Sequence, residues 1–249
     1  MQRHLHNDPV ITLRDNPTWE ALNNESAHLL LSNSVRIDAE KGDDVPSDLG
    51  IVVSGILGVR RDYADGRYLY CTLFHGGDVF DLRREERQRQ GCLLAVTKAS
   101  VLCLNEAALS ASLRVDPALV EFMIGQLREQ FARLRDHCAD LTFKTPLERM
   151  ASTILEFRRW PEAKANGSAV IHLPITRAEI AVYVGLKPET VSRALKQMAR
   201  SGIIRKSGRS SLEIVDLPAL RMLANGGHPR GSRMVMRSCD DDPADATWS

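Results

Sequence analysis

The segment ITRAEIAVYVGLKPETVSRALKQMARSGIIRKSG, residues 175–208, limits the fold more than any other part of the chain. Thr176 with Glu179 three residues on is a capping box, so a helix starts just after it. Gly185 stands where the chain must turn with a positive φ, which glycine adopts without a Cβ clash. Leu186 can pack that turn. Pro188 suits the first turn of a second helix, where its missing N–H has no partner to lose. Beyond it, Val191, Ala194, Leu195 and Met198 recur at helical spacing and face inward. Two short helices about a tight glycine turn form a helix-turn-helix, and GIIRKSGRSSLEIVD after them reads as a hairpin wing.

That inward set leaves Glu189, Ser192, Arg193, Lys196 and Gln197 outward. Glu189, Ser192 and Arg193 lie at i, i+3 and i+4 and share one face. A solvated face on an ordinary helical hairpin would explain polarity, but not the local charge. Residues 175–210 hold eight basic residues (Arg177, Lys187, Arg193, Lys196, Arg200, Arg205, Lys206, Arg209) against two acids, while the whole chain is at +1. A local basic excess in a near-neutral chain is the footprint of a phosphate-binding surface. Arginine pairs bidentately with guanine O6 and N7, and a carboxylate accepts from cytosine N4 but is repelled by phosphate. Glu189, Ser192 and Arg193 are therefore the expected base-reading residues. Thr176, Arg177, Lys187, Thr190, Lys196, Arg205, Lys206 and Arg209 are the expected backbone contacts.

Upstream the pattern changes. From Leu49 short apolar runs alternate with turns: GIVVSGILGVRRDYADGRYLYCTLFHGGDVFDL, then LLAVTKASVLCL. Asp65-Gly66 reads as a hairpin turn and Gly55 as a tight bend between strands. These runs predict a small antiparallel roll or barrel. The segment Arg83–Gly91 is rich in arginine and reads as a solvated loop or short helix.

From Pro117 to Leu141 the period becomes helical. Val120, Met123, Leu127, Gln130, Leu134, His137 and Leu141 are spaced 3, 4, 3, 4, 3, 4, a heptad seam. A second stripe, Ile124, Phe131 and Cys138, widens the apolar face. The expectation is that one flank packs on the chain's own roll while the seam meets a twin helix, with Gln130 and His137 fixing register. Thr145-Pro146 then opens another helix.

Together these segments resemble the Crp–Fnr superfamily of transcription regulators, over about residues 25–224. The match is specific in ITRAEIAVYVGLKPETVSRALKQMARSGII and looser in the roll. Glu189, Ser192 and Arg193 match the Glu-x-x-Ser-Arg pattern of the Fnr-type, FixK-like branch. The resemblance implies an α+β chain in five parts. These are a flexible arm (1–20), a β-roll sensor-like domain of the cyclic-nucleotide-binding kind (21–112), a dimerisation helix (113–142), a winged helix-turn-helix DNA-binding domain (143–224) and a disordered tail (225–249). It also implies a homodimer on double-stranded DNA, a palindromic site like TTGAT-N4-ATCAA, and RNA polymerase as partner.

The effector is less legible. Family members that bind cyclic AMP use a Gly-Glu pair for the ribose and an Arg-Ser or Arg-Thr pair for the phosphate. Gly77-Asp78 matches the preceding turn, but the Gly-Glu positions hold Asp81 and Leu82, and Arg89 is followed by Gln90. That departure argues against cyclic AMP. Fnr itself holds an iron–sulfur cluster on three N-terminal cysteines and a central one, and this N-terminal arm has none. Cys71, Cys92, Cys103, Cys138 and Cys239 make no C-x-x-C pair and read as reduced thiols. His28, His75 and His137 could offer a haem ligand but stand in no motif. The expectation is no cofactor and no metal. The alternative is a haem, iron–sulfur or metabolite sensor whose roll gates DNA binding. No P-loop, dinucleotide, metal-box or Ser-His-Asp pattern is present, so catalysis is not expected. The first residues lack an apolar signal region and no apolar run would span a bilayer, so the expected location is the cytoplasm, away from membrane.

Overall fold

The computed structural model describes residues 34–82, 92–160 and 170–227, with Glu25, His28, Ser32 and Ala163 besides. The expected arm at 1–20, the charged segment at 83–91 and the expected tail beyond residue 227 lie outside the described residues. The chain divides into two compact units: Met1–His137 with Trp160–Glu162, and Cys138–Arg159 with Ala163–Ser249. Among the described residues, no helix is long and apolar enough to cross a membrane.

The first unit is the antiparallel roll that the alternating apolar runs predict. Strands β1 (Ser34–Ala39), β2 (Leu49–Ser54), β5 (Val79–Asp81) and β7 (Ala99–Leu104) form one sheet in the order β1-β7-β2-β5. Strands β3 (Leu57–Asp62), β4 (Tyr68–Phe74) and β6 (Cys92–Ala95) form a second, in the order β4-β3-β6. Successive side chains on a strand point to opposite faces, and β2 uses both. Val52 joins Leu57, Val59, Phe74, Phe80, Leu93 and Val101 in one core. Its neighbours Ile51 and Val53 join Val79, Leu102, Leu109 and Leu119 in another. Gly55 has a φ of +82° between β2 and β3, and a Cβ there would lie 2.2 Å from the Lys98 carbonyl oxygen. Gly66, φ +82°, closes the β3–β4 hairpin at the expected place.

Helix α1 (Glu106–Val115) is separate from α2 (Pro117–Phe143). The long helix starts at Pro117, where the helical period begins, and the expected dimerisation segment 113–142 takes in the end of α1 as well. The break has a local cause: Asp116 Oδ1 accepts from the Ala118 N–H at 2.9 Å, with proline at the first helical position. Leu119, Phe122 and Met123 of α2 pack on the second roll core.

The expected seam is corrected. Gln130 turns to the roll and donates from Nε2 to the Val79 carbonyl. Beside it, Arg133 Nη2 donates to Asp78 Oδ1 at 2.8 Å. Arg133 Nη1 meets His75 Nε2 at 2.6 Å, and His75 Nδ1 meets the Gly76 carbonyl at 3.1 Å. A guanidinium only donates, so in this contact Nε2 is the acceptor and Nδ1 faces the carbonyl. The uncovered apolar stripe is Ile124, Leu127, Phe131 and Leu134, between 42% and 67% exposed. Leu127 and Leu134 belong to the expected seam, while Ile124 and Phe131 come from the stripe beside it.

The second unit begins with the last turn of α2, followed by α3 (Pro146–Phe157). Thr145 caps α3 in a full capping box with Glu148. A three-stranded sheet, β8 (Val170–His172), β9 (Ile204–Lys206) and β10 (Ser211–Ile214), pairs in the order β8-β10-β9. Helices α4 (Arg177–Tyr183), α5 (Pro188–Arg200) and α6 (Leu217–Ala224) complete the unit, with α3 packed on α5 and α6.

Candidate nucleic-acid interface

The helix-turn-helix forms as its local signals dictate. Thr176 Oγ1 accepts from the Glu179 N–H at 3.3 Å, and Glu179 Oε2 accepts from the Thr176 N–H at 2.7 Å. Gly185 takes a φ of +65°, and Lys187 then stands at the N-cap position of α5, without a side-chain cap bond, with Pro188 at the helix start. Val191, Ala194, Leu195 and Met198 are the buried residues of α5, the same four that the spacing selects.

Glu189 and Arg193 are exposed and Ser192 is half-buried. Among the described residues, none forms a hydrogen bond or ion pair with these three side chains. Their donors and acceptors point outward from a helix whose other face is fully packed. Lys187 is exposed, and Thr190 and Lys196 are half-buried on the same helix or its cap.

Thr176 and Arg205, both expected backbone contacts, are engaged inside the chain. The Thr176 hydroxyl donates to Glu179 Oε2 at 2.7 Å, so its proton is committed to the cap. Arg205 on β9 pairs with Glu213 on β10 at 3.0 Å, which offsets one of the eight local positive charges. Arg209 is exposed at the tip between β9 and β10, with Lys206 half-buried beside it. The sequence reading missed β8, whose three residues VIH carry too little pattern to read as a strand. His172 on β8 lies across from the wing, its Nδ1 2.5 Å from Ser211 Oγ.

A Crp-like helix-turn-helix domain matches residues 148–223. The chain is 30% identical over 184 residues to the nitrogen fixation regulation protein FixK of Azorhizobium caulinodans, covering 73% of this chain and 74% of that one. The chain belongs to the Crp–Fnr family of transcription regulators. Members of this family are DNA-binding regulators rather than enzymes, and the chain carries their helix-turn-helix domain. It is also similar to the transcriptional activator protein FnrL of Cereibacter sphaeroides, at 27% identity over 174 residues, 68% of this chain and 69% of that one. Among solved structures, FixK2 from Bradyrhizobium japonicum superposes with a TM-score of 0.66 at 25% identity, over 79% of this chain and 98% of that one.

Leu82 packs against the roll core. Both ring nitrogens of His75 are engaged by Arg133 and Gly76. Cys71, Cys92 and Cys103 sit half-buried on three different strands, and Cys138 is exposed on α2. Among the described residues, no group of three or more His, Cys, Asp or Glu side chains could hold a metal ion.

Proposed function

We propose that the protein is a cytoplasmic homodimer that reads a palindromic TTGAT-N4-ATCAA-like site and activates transcription there in contact with RNA polymerase. The observation that carries this reading is the outward face of α5, where Glu189, Ser192 and Arg193 stand without a partner among the described residues. Arginine and carboxylate on one face of a helix suit guanine and cytosine edges in the major groove. The exposed Arg209 and Lys187 beside them suit phosphate contacts that fix register.

The dimer is supported by α2. Ile124, Leu127, Phe131 and Leu134 put four large apolar side chains on one face at heptad spacing, and such a stripe is stable in water when a second helix covers it. A two-fold dimer would set its two reading helices about 34 Å apart, one turn of duplex. Activation is supported by the likeness to FnrL, which is named an activator.

The test is a fluorescence titration of the full palindrome against a duplex carrying one half-site. The palindrome is expected to bind at least about tenfold tighter, because two linked half-sites are held by one dimer. Equal affinities would remove the dimeric reading.

The proposed regulator works without a resident haem, cluster or cyclic nucleotide, and its output follows its own abundance. Leu82 and the engaged His75 support this. Protein purified without oxygen is expected to show no visible absorption band. A haem or iron–sulfur band would instead make the roll a direct gas or redox sensor.

A further inference from the structure

Arg149, a side chain that takes no part in base reading as described above, joins two places in the second unit that are far apart in sequence. It lies in the first turns of α3. Its Nε–H donates to the Lys144 carbonyl at 3.0 Å, and its Nη1–H donates to the Val184 carbonyl at 3.2 Å. Lys144 is the residue between the end of α2 and the cap of α3. Val184 is the C-cap of α4 and precedes Gly185, so it is the last residue before the chain reverses towards α5.

We infer that Arg149 is a positioning residue for DNA recognition: its guanidinium braces the turn that aims the reading helix. The inference rests on the reading of α5 as the base-contacting element. The chemistry is specific. The Val184 carbonyl stands at a helix C-terminus, where the last carbonyls have no partner in their own helix and attract a cation. Val184 is buried, 2% exposed, so water does not readily replace the arginine.

The fork also reaches two acceptors on different elements at once, which the single ammonium of a lysine does not reproduce. A Cβ at Gly185 would have Leu141 Cδ2 at 3.5 Å and Arg149 Nη1 at 3.8 Å as its nearest neighbours, so the turn is held from one side by α2 and α3. Lys144 is fixed in its turn: its Nζ donates to Ser152 Oγ at 2.7 Å and pairs with Asp140 at 2.5 Å. The brace therefore runs from an anchored residue to the turn before α5. Three residues beyond Gly185, Pro188 begins α5 and Glu189 follows. A small rotation at the turn displaces Glu189, Ser192 and Arg193 together. Hydrogen bonds to base edges are directional and suffer most, whereas contacts to phosphates tolerate the shift.

The experiment uses the full chain and a duplex recovered from a randomised pool by the wild-type protein, so that it does not depend on the proposed site. Binding of Arg149→Lys and Arg149→Met to that duplex and to random DNA is measured alongside thermal unfolding. Arg149→Met keeps the aliphatic stem and removes the charge. Both variants are expected to lose about tenfold on the selected duplex and less than about twofold on random DNA, with thermal midpoints lowered by only a few degrees. Two results would overturn the inference. One is full discrimination in Arg149→Lys. The other is an equal loss on both DNAs accompanied by lowered thermal midpoints in both variants, which would make Arg149 a stability residue only. A wild-type chain that selects a motif unlike TTGAT-N4-ATCAA contradicts the proposed site and leaves this comparison intact. A wild-type chain that selects no motif overturns both.

Discussion

Asp78→Ala is expected to destabilise the roll by about 3 kcal/mol, the lower end of the range for removing one partner of a buried ion pair. Asp78 is buried, with 5% of its side chain exposed, and Arg133 opposite it is at 22%. Its two oxygens serve different partners. Oδ1 accepts from Arg133 Nη2, and Oδ2 accepts from the His75 backbone N–H at 3.0 Å. Alanine removes both bonds and leaves a guanidinium half-desolvated against the β4–β5 turn. The lower end applies because Arg133 keeps some access to water, and because Nη1 still reaches His75. Arg133→Ala is expected to destabilise in the same direction. The double variant should cost less than the sum of the two, since both singles break one interaction. Urea unfolding checks this. A midpoint unchanged in Asp78→Ala, or strict additivity in the double variant, would mean that the pair does not hold α2 to the roll.

Arg193→Ala is expected to cost about 1–3 kcal/mol of specific binding per half-site and to relax discrimination at one base position. The expectation follows from what surrounds the side chain. Arg193 is exposed on α5 and meets no acid among the described residues, so folding does not consume its guanidinium. Truncation should therefore leave the thermal midpoint near wild type, because the packed face of α5 is Val191, Ala194, Leu195 and Met198. Lys196→Ala gives the contrast. A phosphate contact weakens all sequences alike and lowers the salt slope by about one. If Arg193→Ala behaves in that way instead, Arg193 is a backbone contact and base reading falls to Glu189 and Ser192.

The helix-turn-helix was legible because its signals are local. Thr176 and Glu179 cap one helix, Gly185 makes the turn, Pro188 starts the next helix, and four apolar positions choose its buried face. Each acts within a few residues, so no tertiary information is needed. The long helix was legible in extent and misleading in orientation. Apolar residues cover more than half of its circumference, and a heptad period alone does not say which flank the roll covers. The roll took the flank bearing Leu119, Phe122, Gln126, Gln130 and Arg133, because Val79 and Asp78 offer acceptors there. That left Ile124 and Phe131 uncovered, which the seam had assigned to the flank beside it. Gln126 is 7% exposed, and a glutamine carries no signal in sequence that marks it for burial. Strand β8 is three residues long and gains its identity only by pairing with β10. Arg149 showed no signal at all, because its two acceptors are backbone carbonyls whose positions exist only in the folded chain.

The claim on which the rest depends is that the outward face of α5 reads base sequence. The most direct test is equilibrium binding of the wild-type chain to a TTGAT-N4-ATCAA duplex and to a scrambled duplex of the same composition, at physiological salt. The account predicts a preference of at least about a thousandfold for the palindrome, the lower end for specific regulators. Equal affinity for both duplexes would contradict it.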